Sequence, residues 1–129
     1  MSEEAVELNI NILNDESLNN NREITIVLQA RNNTEKLYWC QVAVKTFGGV
    51  TLLPSDDVSK VEVRLGILKP NTTKEKQLKI FLKKDYNITE GSMPILNATA
   101  LFYDEDGVID ARVERGIAIS SADQHLEAR

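Results

Sequence analysis

A chain of 129 residues with 42% apolar side chains suits one folded domain. At that length folding buries roughly two-thirds of the surface the unfolded chain exposes, enough for a core without staples. The net charge of −5 leaves no global basic field for nucleic acid or anionic lipid, and a single cysteine (Cys40) and a single histidine (His125) exclude an intrachain disulfide, a Cys/His zinc site and most triad catalysis.

The chain opens on "MSEEAVEL", which is acidic and lacks the apolar core of a signal peptide. In "VELNINIL", Val6, Leu8, Ile10 and Ile12 alternate with polar residues, the period of a half-buried strand. After a polar break, "ITIVLQARNN" puts Ile24, Ile26, Leu28 and Ala30 on one face and ends in the turn-prone Asn32-Asn33. "LYWCQVAVKTFGG" forms a third strand with Cys40, Val42 and Val44 inward and Trp39 outward, because the opposite register would bury Lys45. "VTLLPSDDVS" reads as a loop with a short edge strand before Pro54.

"KVEVRLGILKP" is a fourth strand, stopped by Pro70, and "EKQLKIFLKKD" a fifth with Leu78, Ile80 and Leu82 inward. Its lysines alternate between faces, so Lys69, Lys74, Lys76, Lys79, Lys83 and Lys84 cannot form one basic patch. "ILNATALFY" is the sixth strand. Its two registers expose either Asn97, Thr99, Leu101 and Tyr103 or the opposite set, and the sequence leaves both open. "VIDARVERGIAI" is the seventh, with Ile109, Ala111 and Val113 inward and a bulge expected at Gly116. No stretch of about eighteen apolar residues occurs, so direct membrane insertion is not expected.

Seven short strands separated by turns predict an all-β domain, an immunoglobulin-like antiparallel β-sandwich with Greek-key connections. The single domain covers 1–119, and 120–129 is expected as a flexible C-terminal tail.

The stretch from residue 24 to 119 resembles the immunoglobulin-like modules of archaeal and bacterial surface proteins, among them cell-adhesion-related (CARDB-type) and S-layer-associated domains. The resemblance is carried by Asn32-Asn33 after the second strand, by Leu65, Gly66, Leu68 and Pro70 leading into the fifth, and by Tyr103, Asp104 and Gly107 closing the sixth. Asn71 stands where the family usually has glycine. The resemblance implies a non-catalytic binding, adhesion or structural module. Its location would be the cell surface if the chain is part of a longer exported protein, and the cytoplasm if Met1 is the native start.

Asp104, Asp106 and Asp110 could supply part of a calcium shell, but a tight turn built on Asp106-Gly107 explains the same residues and the resumed alternation. Cys40 reads as a small buried hydrophobe. Trp39, with Leu101 and Tyr103 if their face is outward, is the candidate partner contact. Sequons at Asn32, Asn71, Asn87 and Asn97 exceed the roughly one expected by chance and suggest glycosylation.

No catalytic residue and no cofactor is expected. The expected partner is a protein or cell-surface glycan. The alternative is a cytoplasmic interaction module or small self-assembling sandwich, joined through an edge strand.

Overall fold

The computed structural model describes residues 4–13, 23–47, 49–53, 58–82, 92–120 and 126–128. Among them, no helix is long and apolar enough to cross a membrane.

Seven strands of seven residues or more carry the fold: β1 (Val6–Ile12), β2 (Glu23–Asn32), β3 (Tyr38–Thr46), β5 (Lys60–Leu68), β6 (Thr73–Leu82), β7 (Ser92–Tyr103) and β8 (Ile109–Ser120). Two short additions, β4 (Val50–Thr51) and β9 (Leu126–Ala128), bring the total among the described residues to nine. The first sheet runs β1-β2-β6-β4 and the second β5-β3-β7-β8-β9. Every pairing is antiparallel. Strands one, two and six against three, seven and eight reproduce the immunoglobulin-like order, with β5 lying beside β3 in the second sheet.

Alternation explains why these segments are strands. In β3, Tyr38, Cys40, Val42, Val44 and Thr46 are buried while Trp39, Ala43 and Lys45 face out. Leu8, Ile24, Ile26, Leu28 and Ile80 from the first sheet meet Val42, Leu96, Phe102 and Ile117 from the second. Each such side chain contributes about 1.5–3 kcal/mol when fully withdrawn from water. Tyr38 closes one end of this core edge-on to Phe102, with ring centroids 6.0 Å apart.

The sixth strand's register, open from sequence, is settled: Leu96, Ala98, Ala100 and Phe102 point inward and Asn97, Thr99, Leu101 and Tyr103 outward. Three sequence expectations need correction. Gly116 pairs regularly with Asn97 and is no bulge; the phase shifts fall instead at Ile95 and at Asp110, each skipped by the ladder. Because Asp110 is the extra residue, Ile109 pairs with Tyr103 and faces solvent, not the core. Residues 120–129, read as a tail, include β9, which pairs Leu126–Ala128 with Ile117–Ile119. The short strand expected before Pro54 is β4, pairing with β6 at Val50↔Leu82 and Thr51↔Phe81.

A buried asparagine ties one end of the sandwich. Asn32 Nδ2 donates to the carbonyls of Lys36 (2.7 Å) and Leu68 (3.1 Å), and its Oδ1 accepts from the Thr34 amide (2.9 Å) and hydroxyl (2.6 Å). Its own N–H donates to the Thr72 carbonyl, so the β2–β3 and β5–β6 corners are held together. At the β5–β6 corner Asn71 has φ 57°, a left-handed conformation that glycine or asparagine adopts at least cost.

Candidate functional site

The outward face of the second sheet is built in rows, because antiparallel register sets residues on neighbouring strands side by side. One row reads Ile67, Trp39, Tyr103, Ile109 across β5, β3, β7 and β8. The next holds Arg64, Gln41, Leu101 and Arg112, then Glu62, Ala43, Thr99 and Glu114, then Lys60, Lys45, Asn97 and Gly116. The face is therefore striped: apolar, basic, acidic, basic.

In the apolar row Trp39 is 40% exposed, Ile67 49% and Ile109 52%, and Val108 beside it 59%. These are four of the seven large apolar residues most open to solvent among those described. Scattered singly they would be ordinary, but here they gather into one exposed apolar strip. Beyond them the small side chains of Ala43 and Thr99 form the floor of an open trough, walled by Lys60, Glu62, Arg112 and Glu114. Arg112 and Glu114 lie 3.7 Å apart, and Asn97 Nδ2 donates to Glu114 at 2.8 Å. A second hollow opens over Gly116, which has no side chain, between Phe47, Leu96 and Ile117.

The acidic hairpin is arranged as a turn. Asp104 Oδ1 accepts from the amides of Asp106 (2.9 Å) and Val108 (3.0 Å), its N–H donates to the Val108 carbonyl, and its carbonyl accepts from Gly107. Gly107 supplies the positive φ (78°), whereas Asp106 does not, so the expected Asp106-Gly107 mirror-image turn is replaced by an Asx-stabilised loop with one left-handed glycine. Asp110 turns elsewhere: its Oδ2 accepts from the Tyr38 hydroxyl at 2.6 Å and lies 3.5 Å from Lys36 Nζ. The three aspartates do not converge, and no group of three or more metal-ligating side chains gathers among the described residues.

The Tyr38 hydrogen bond holds the Asp110 carboxyl below the usual carboxylate range, with Lys36 acting in the same direction. Burial, reinforced by that hydrogen bond, pushes the Tyr38 hydroxyl up to about 12. The trio was missed in the sequence, although Tyr38 alternates in phase with Cys40 and an inward tyrosine needs a partner for its hydroxyl. Cys40 is fully buried and its thiol is pushed up to about 12 by desolvation alone, which leaves it in the unreactive form.

The sequons separate by environment. Asn32 is fully buried with both amide hydrogens engaged, so the folded chain has no room for a glycan there, a correction to its reading as an acceptor. Asn71 is exposed and only touches Glu35 at 3.3 Å. Asn97 lies on the striped face, and Asn87 falls outside the described residues.

No family model matches this sequence, and no curated protein matches it either. Among solved structures it is similar to a FixG-related protein from Vibrio parahaemolyticus, at 12% identity and a TM-score of 0.44, over 87% of this chain and 94% of that one.

Proposed function

We propose that this chain is a non-catalytic immunoglobulin-like binding module, of the adhesion type that CARDB-like domains exemplify, and that it engages its partner through the outer face of the second sheet. The observation that carries the reading is the solvent-facing row Ile67, Trp39, Tyr103, Ile109. A 40%-exposed tryptophan between Ile67 and Tyr103, with Arg64 and Arg112 in the adjoining row, has the composition of a binding hot spot.

Docking through the β5 edge has less support. That strand carries Lys60, Glu62 and Arg64, and a register shift between Cys40 and Gln41, with Gly66 at φ 86°, breaks its ladder. Charges and bulges of this kind discourage strand addition. The acidic hairpin also supports a non-catalytic reading, since Asp104 is spent on the turn and Asp110 on Tyr38.

The test compares wild type and Trp39→Ser as baits, with captured material identified by mass spectrometry. Partners retained by wild type and lost by Trp39→Ser are the expected result. Identical capture by both would remove the Trp39 face from the proposal. We further propose a cell-surface location, as the adhesion reading implies, which predicts a secretion leader in the native gene product and glycan on material from the native source. A native product carrying neither overturns that part alone.

A further inference from the structure

The stripes on the second sheet's outer face are self-complementary, and we propose that the occupant of this face is a second copy of the same chain. The inference rests on the binding-module reading above and names its partner. A twofold axis lying across the strands, between the Arg112 row and the Glu114 row, turns the second copy end over end. It sets Arg64 against the second copy's Glu62 and Arg112 against its Glu114, with Gln41 over Ala43 and Leu101 over Thr99. An axis along the strands would instead set each row on itself, arginine on arginine and glutamate on glutamate.

The outer rows also fit under the crosswise axis. Lys45 and Lys60 come over the second copy's Trp39 and Ile67, where their aliphatic stems cover apolar surface and an ammonium can sit on the indole face. Ile109 comes over Gly116, whose missing side chain leaves the hollow between Phe47, Leu96 and Ile117. Each copy thus offers both knob and hole, as an isologous interface requires. The Arg112–Glu114 pair within one chain is open to solvent and 3.7 Å long, so it yields readily to pairing across the interface.

Four strands at about 4.8 Å and four rows at about 6.8 Å give a face of roughly 500 Å² per copy. The total of roughly 1,000 Å² sits at the lower end of specific interfaces. The dimer should therefore be reversible and concentration-dependent, with dissociation in the micromolar range or weaker.

The experiment is sedimentation equilibrium on the unglycosylated chain, from about 10 μM to about 1 mM, the range such an area implies. Wild type is expected to rise from 14.5 kDa towards twice that mass. Arg112→Glu alone and Glu114→Arg alone should each stay monomeric, since each brings like charges together across the axis. An equimolar mixture of the two should recover the dimer, because each variant's new charge then meets its opposite on the other chain. Both positions are exposed, so circular dichroism should match wild type; if either variant loses that spectrum, Ala43→Arg, which fills the trough, replaces it and should also be monomeric.

Wild type fixed at 14.5 kDa throughout overturns the dimer and leaves the binding-module reading to the Trp39 capture experiment. A dimer that survives both single swaps, or a mixture that stays monomeric, overturns the proposed pairing.

Discussion

Replacing Asn32 by alanine tests the account of how the sandwich's corner is held. The substitution removes one donor group that serves two carbonyls and one acceptor that serves two Thr34 donors. The Lys36 carbonyl and the Thr34 groups lie near the surface, and water can replace much of what they lose, at about 1 kcal/mol in all. The Leu68 bond is fully buried, and a carbonyl deprived of its donor there costs about 2 kcal/mol.

The expected loss is about 3 kcal/mol, a large share of the roughly 5–15 kcal/mol by which such domains are stable. In urea, with a slope of about 2 kcal/mol/M, the midpoint should fall by about 1.5 M at unchanged slope, read by far-ultraviolet circular dichroism. Asn32→Asp sharpens the test, because a carboxylate cannot donate to the two carbonyls. Its folded-state pKa should be raised, so its penalty should grow as pH rises from about 4 towards 7. A midpoint within about 0.5 M of wild type for the alanine variant, at roughly 1 kcal/mol, would refute the assignment of Asn32 as the corner's tie.

Gly107→Ala should cost about 1 kcal/mol through backbone strain alone, since φ is 78° and a Cβ there meets nothing within 4 Å; Gly107→Asn should recover much of it, and thermal melts of the two variants check the order. For Tyr38, a folded pKa of about 12 against 10.0 unfolded means the unfolded chain gives up its proton first as pH rises. The associated stability is complete below about pH 10 and is lost between about 10 and 12. Denaturation profiles over that window should fall more steeply for wild type than for Tyr38→Phe, and parallel profiles would contradict the assignment. For Asp110 the sign is opposite: its stabilisation is present above the ordinary carboxylate range and is lost as pH falls through its lowered folded-state pKa. The Cys40 thiol should label with a disulfide reagent only as fast as the sandwich opens, and rapid labelling of the native chain would contradict its burial.

Strand existence was legible because period-two alternation follows directly from a pleated backbone with one face in a core. Val6 to Ile12, Ile24 to Ala30 and Cys40 to Val44 read correctly for that reason, and so did the outward direction of Trp39. The β7 register was not legible, because apolar residues stand on both of its faces: Leu96, Ala98, Ala100 and Phe102 on one, Leu101 and Tyr103 on the other. What decided it was the antiparallel pairing of Val42 with Ala100 and Val44 with Ala98, which places small residues beside the inward valines. The position of Ile109 was misread because a bulge at Asp110 shifts phase by one residue, and one residue inverts a strand's faces.

Sequence alone determined the class of fold and its seven principal strands, since these follow from local periodicity. Tertiary structure decided the relations between distant segments. It placed Tyr38 on Asp110 across 72 residues and Asn32 on Leu68 across 36. It also aligned Ile67, Trp39, Tyr103 and Ile109 from four strands into one apolar row beside alternating charged ones. The physical reason is that alternation says which face a residue takes within its own strand. Only the hydrogen-bonded register between strands says which residues stand beside it.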